Sequence, residues 1–137
     1  MYKRQAHVIT DFIRKGFETG VIDMMTDGTE AREFLYAEDC CEALETVMGN
    51  YDRLTSDDEL HITTGNSTTI LEIAQNIQKL FSNIGKEVII KPAESKDEVQ
   101  KDARNVSDPY IQKFWRSTTS VKEGLTKVFY EMKKNYE

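Results

Sequence analysis

Asp27-Gly28-Thr29-Glu30-Ala31-Arg32-Glu33-Phe34-Leu35-Tyr36-Ala37-Glu38-Asp39 is the stretch on which the reading of the chain turns. Asp-Gly is a tight-turn pair, because glycine supplies a positive φ and the aspartate side chain bonds back to its own backbone. Phe34, Leu35 and Tyr36 then read as a short strand. Glu38-Asp39 reads as the cap of a helix whose apolar positions are Cys40, Ala43, Leu44, Val47 and Met48. Arg32 stands just before the strand, at the rim of a rigid scaffold, where a guanidinium can offer a phosphate a bidentate pair. Taken alone, an arginine in such a place is ordinarily a solvated surface charge.

Upstream of that stretch, Val8, Ile9, Phe12, Ile13 and Phe17 recur at three- and four-residue steps, which predicts an amphipathic helix. Asp11, Arg14, Lys15 and Glu18 fall on its polar face, Gly20 can end it, and His7 at its start reads as a surface or capping side chain. Residues 21–25 read as a strand leading into the Asp27 turn. Downstream, the helix after the turn ends near Gly49-Asn50, and residues 52–59 form a polar, acidic connection. Leu60-His61-Ile62-Thr63 reads as a strand with His61 on its exposed side, closed by Gly65-Asn66.

The second half repeats the same grammar. Ser67, Thr68 or Thr69 can cap a helix carrying Ile70, Leu71, Ile73, Ala74, Ile77, Leu80 and Phe81, with Glu72 as the capping-box partner. Residues 87–90 read as a strand after the Gly85 turn, stopped by Pro92. Asp108 before Pro109 starts a short helix, and Ser120 with Glu123 makes a second capping box, followed by Leu125, Val128, Phe129 and Met132 on one face. Trp115, between these last two helices, reads as a packing anchor.

Composition narrows the classes. At 137 residues and 39% hydrophobic content the chain can bury the core of one domain. A net charge of -6 argues against a nucleic-acid platform, which needs a clustered positive surface. Cys40 and Cys41 are neighbours on a predicted helix and point apart, which disfavours a disulfide and makes a reducing, cytoplasmic setting the expectation. No apolar run approaches the roughly 20 residues that span a bilayer, and no leader pattern is present, so neither a membrane partner nor export is expected.

Four segments, in order, resemble the extended short-chain dehydrogenases, the NAD-dependent epimerase/dehydratase family that works on nucleotide sugars. Residues 27–39 resemble its DGxxxRDFxYVxD segment, with Glu33 for the usual Asp and Ala37 for the usual Val. Ala-His-Val-Ile-Thr-Asp-Phe-Ile-Arg-Lys is similar to its VIPxxIxK helix, with Thr10 in place of proline. Thr-Gly-Asn-Ser-Thr-Thr-Ile-Leu-Glu-Ile-Ala resembles GxxxSxxELA, and the end of the chain resembles LGWxPxxSLEEGL. Residues 94–104 fall where the family has an RPGD-like loop whose basic residue also meets phosphate. RPGD itself is missing, and Lys96, Lys101 and Arg104 are the cations available.

The resemblance implies an α/β substrate-binding portion spanning residues 6–137, short strands with flanking helices, cut from a larger enzyme and lacking its Rossmann half. Residues 1–5, Met-Tyr-Lys-Arg-Gln, also arise when a widely used sequencing-transposon adaptor is read in frame, and are set apart as a scar. The arginine at the position of Arg32 contacts the nucleoside diphosphate in the family, which implies that role here. The parent is expected to use NAD, to pair as a homodimer and to hold a nucleotide sugar. The chain has no GxxGxxG turn, and its one YxxxK spacing, Tyr130 to Lys134, lies in a packing helix without the serine and strand context. Alone it is therefore expected to bind no NAD, to need the missing NAD-binding half and to be inactive. Two rivals are an extended-family oxidoreductase on a non-sugar substrate and a non-catalytic interaction module.

Overall fold

Three amphipathic helices build the main core, and their apolar stripes decide how they meet. The computed structural model describes residues 7–54, 60–98 and 107–137. The proposed scar and the cations Lys101 and Arg104 lie outside them. Helix α1 (Val8–Thr19) ends on Gly20, whose φ of 71° closes it in the left-handed region. Helix α3 (Ile70–Asn83) and helix α4 (Val121–Lys133) each begin with the predicted capping box, Thr69 with Glu72 and Ser120 with Glu123. Phe17, Phe81 and Phe129 join the three, with Phe81 edge-on to both others at centroid distances of 4.7 and 4.8 Å. Gly16 lets α1 approach this closely, since a Cβ there would lie 2.2 Å from the Phe81 ring.

Two small sheets lie against the helices. Strands β1 (Val21–Asp23) and β4 (Ile89–Lys91) pair in parallel, Ile22 opposite Ile90. Strands β2 (Ala31–Glu33) and β3 (Ser67–Thr69) pair antiparallel, Arg32 opposite Thr68. Helix α2 (Ala37–Gly49) packs in a second cluster, where Ala43, Ile111 and Trp115 are buried and Leu35, Val47, Leu60 and Ile62 cover them. Ile111 belongs to a short 3₁₀ helix (Pro109–Lys113) whose N-cap Asp108 accepts the Tyr110 N–H, as the Asp-Pro start predicts. Trp115, 8% exposed, is a packing residue.

Several local expectations change. The strand after the Asp27 turn is Ala31–Glu33 and stops before Phe34, because its ladder partner is the triplet Ser67–Thr69. Residues 60–63 form no ladder: Leu60 and Ile62 pack on the Trp115 cluster, but no strand is assigned beside them among the described residues. His61 is half-buried and its Nδ1 accepts the Asp108 N–H at 3.0 Å, where an exposed strand histidine was expected. Helix α2 is not capped by Glu38 or Asp39. Its N-cap is Tyr36, without a side-chain bond, and Asp39 lies buried in the first turn. His7 is the N-cap of α1 without a side-chain bond, and it is exposed, as its surface reading expects.

Candidate functional site

A groove of about 480 Å³ opens between the first turns of α1, the end of β1 and strand β2. Its floor is the buried trio Phe12, Met24 and Ile70. The Asp27-Gly28 turn fixes one rim: Asp27 Oδ1 accepts from the backbone and the hydroxyl of Thr29, and Gly28 holds φ 78°. Those hydrogen bonds from Thr29 keep the Asp27 carboxyl below the ordinary aspartate range. Strand β2 then carries Arg32 into the groove wall.

Arg32 donates from Nη2 to Asp97 Oδ2 at 2.7 Å. Its side chain is 41% exposed and that of Asp97 15%, so the pair is open on the arginine side. Such a pair has little stability of its own in water. Among the described residues Asp97 holds the guanidinium in place, and a guanidinium has further N–H donors to offer. Asp97 comes from the loop after β4, the segment that sequence reading singled out for its cations. That reading missed the acid, and only its distance along the chain hid it.

Among those cations, Lys96 is exposed, stands near enough to Asp27 to help keep that carboxylate ionised, and does not line the groove. The second cation in the groove is Lys15, which the helical pattern assigned to an outer polar face. Its Nζ donates to the Asp23 carbonyl at 2.7 Å and pairs with Asp11 at 2.9 Å. Burial pushes the Asp11 carboxyl up, but hydrogen bonds from Lys15 and Arg14 outweigh it and hold the group below its ordinary value. Asp23, exposed, and Glu30 are the remaining acids in the wall. Glu30 Oε1 accepts from the Thr26 hydroxyl at 2.6 Å, and Met25 at the mouth is 87% exposed.

A larger cavity of about 650 Å³ lies between residues 63–66 and 116–121. Its hydroxyls are already engaged: Ser117 and Thr119 bind Asp39, and Ser120 binds Glu123. Arg116 there is exposed. The groove beside Arg32 has a buried apolar floor with charged walls, the makeup of a small-molecule site. Among the described residues no cluster of His, Cys, Asp and Glu could hold a metal ion, and no helix is long and apolar enough to cross a membrane.

Comparison with known proteins gives both sequence and fold relatives. Residues 2–63 match the NAD dependent epimerase/dehydratase family. A GDP-L-fucose synthase of Sinorhizobium fredii is 28% identical over 129 residues, which cover 90% of this chain and 39% of that protein. An epimerase of Methanothermobacter thermautotrophicus superposes with a TM-score of 0.76 at 18% identity, over 97% of this chain and 39% of its own. The Bordetella bronchiseptica enzyme WbmF, solved with NAD+ and UDP, superposes at 0.69 with 20% identity, over 94% of this chain and 37% of its own. The chain therefore spans about two fifths of the length of these relatives.

Proposed function

We propose, for a chain that is related to the NAD-dependent epimerase/dehydratase family and carries the α/β fold of its extended short-chain dehydrogenases, that the groove beside Arg32 holds the nucleoside diphosphate of a nucleotide sugar. Arg32 is the phosphate contact. The observation that carries this reading is its placement: a half-open guanidinium, fixed by strand β2 and Asp97, on the wall of an apolar-floored groove. A phosphate oxygen pair matches the fork of a guanidinium, and the charge-assisted bonds so formed are among the stronger polar contacts. Lys15, which lines the same groove, supplies a second cation. Lys96 and, outside the described residues, Lys101 and Arg104 are weaker candidates from the β4 loop.

Among the described residues, the glycines do not form the turn that seats a nicotinamide dinucleotide. Of the glycines with positive φ, Gly20 ends a helix, Gly85 follows one, and Gly28 and Gly65 form turns before β2 and β3. None links a strand directly to a helix N-terminus, the arrangement that seats a pyrophosphate. In our reading NAD is held by other residues of a longer parent, as the length of the relatives suggests, and this chain contributes the substrate side. By itself it binds weakly and turns nothing over.

Titration of the chain with UDP, GDP, CDP and dTDP sugars, followed by NMR, checks this. At least one is expected to bind, and Arg32→Ala to weaken it about tenfold, the worth of one charged hydrogen-bonded contact. Binding indifferent to Arg32 would move the reading to an extended-family enzyme on a non-sugar substrate. No binding by any of them leaves the interaction module.

A further inference from the structure

Among the described residues, Glu30 holds the one buried carboxylate oxygen in the groove that the protein leaves unanswered. Its Oε1 takes the Thr26 hydroxyl at 2.6 Å, while its Oε2 is buried and has no hydrogen-bond partner among the described residues. A buried acceptor left alone costs free energy, and the turn and ladder hold it there nonetheless. The Glu30 carbonyl accepts the Ile70 N–H at 3.0 Å, which extends the pairing of β2 with β3 by one residue and fixes where the side chain leaves the backbone. The neighbouring acids are already matched, Asp11 by Lys15 and Arg14, and Asp97 by Arg32. Asp23, also in the wall, is exposed to water, so Glu30 is the wall acid whose buried oxygen still lacks a donor.

We infer that Glu30 is a specificity-determining residue that accepts a ribose hydroxyl of the bound nucleotide; the inference rests on the diphosphate reading of the Arg32 groove. Glu30 and Arg32 are two residues apart along an extended segment, hence on the same face and roughly 7 Å apart along it. That is the scale separating the α-phosphate of a nucleotide from the hydroxyls of its own ribose. With the phosphate on Arg32, a turn of the Glu30 carboxylate toward the groove brings its unpartnered oxygen within reach of a ribose hydroxyl. A hydroxyl can donate to a carboxylate and a C–H cannot, so the site would distinguish ribonucleotides from their deoxy forms by leaving Oε2 empty for the latter. Met25, exposed at the mouth, offers the flanking apolar contact.

The test compares the tighter-binding of UDP and GDP with its 2′-deoxy and 3′-deoxy forms, titrated into the full chain. One of the two deoxy forms is expected to bind about tenfold more weakly, and Glu30→Ala to erase that difference while leaving some binding through Arg32. On the unaltered protein, the Glu30 carboxyl carbon resonance is expected to move with the ribonucleotide and stay in place with the discriminated deoxy form, which keeps the test open should Glu30→Ala fail to fold. Equal binding of ribo and both deoxy forms, or a preference that survives Glu30→Ala, would overturn the inference and leave the Arg32 reading standing. No binding by any diphosphate would overturn both.

Discussion

Gly28 does two things at once. Its φ of 78° suits the turn, and its bare Cα lets the next segment close over it: an added Cβ would lie 2.4 Å from Met24 Cε and 2.9 Å from the Leu71 nitrogen. The Gly28 carbonyl also accepts that Leu71 N–H, at 3.0 Å. Gly28→Ala therefore combines left-handed backbone strain with a backbone clash that cannot be relieved by moving a flexible tip. The expected cost is about 2–4 kcal/mol, read as a lower urea midpoint. Because Met24 floors the groove, nucleotide binding should weaken as well. An alanine variant as stable as the parent would show that the turn tolerates a side chain. The Asp-Gly pair announced the positive φ in the sequence; the contact with Leu71 did not show, since it depends on how α3 begins.

Among the elements, the joint between α2 and α4 rests on Asp39, which is 3% exposed. Its carboxylate accepts the Ser117 hydroxyl at 2.5 Å, the Thr119 N–H at 2.8 Å, the Thr118 N–H at 3.1 Å and the Thr119 hydroxyl at 2.9 Å. Burial pushes this carboxyl up, and the bonds from Ser117, Thr119 and Thr118 outweigh it, so the folded group titrates below its ordinary 3.8. The sign follows: above that ordinary value the ionised form adds its full share of stability, and the share is lost as pH falls from about 3.8 through the lower folded value. Asp39→Asn should cost about 2 kcal/mol at pH 7, and its gap from the parent should narrow on acidification through that window. Urea midpoints of both proteins at pH 7 and pH 3 measure it; a gap that stays constant would mean that the charge of Asp39 does nothing. The same comparison shows what a sequence discloses. The capping boxes at Thr69 and Ser120 lie where the reading put them because both partners sit within one helical turn. Asp39 looked like a cap for the same local reason, but its partners are far along the chain. Strand limits went astray likewise: a ladder is set by the other strand, so β2 stops with Ser67–Thr69, and residues 60–63 carry a strand pattern with no strand beside them among the described residues. In the groove, Arg32 was legible from its motif, while Asp97, Lys15 and Glu30 needed the fold to bring them together.

At the scale of the molecule, α2 turns an apolar face to solvent. The helical spacing predicted Cys40, Ala43, Leu44, Val47 and Met48 as one buried stripe, yet only Ala43 is fully covered. Leu44 is 49% and Met48 78% exposed, and Tyr51 just beyond the helix is 75% exposed. Residues 44, 48 and 51 follow one another at helical steps, so they form one patch and not scattered single contacts. A helix this apolar on two sides is built to be covered on two sides, and the Trp115 cluster covers only one. The isolated chain should therefore self-associate with rising concentration, as contiguous exposed apolar surface does. Sedimentation velocity across a wide concentration range would show a growing sedimentation coefficient. Met48→Lys, which leaves the core untouched and puts a charge at the centre of the patch, should restore monomeric behaviour while shifting the urea midpoint by no more than about 0.5 kcal/mol. If Met48→Lys associates as strongly as the parent, the contact lies elsewhere than on this patch.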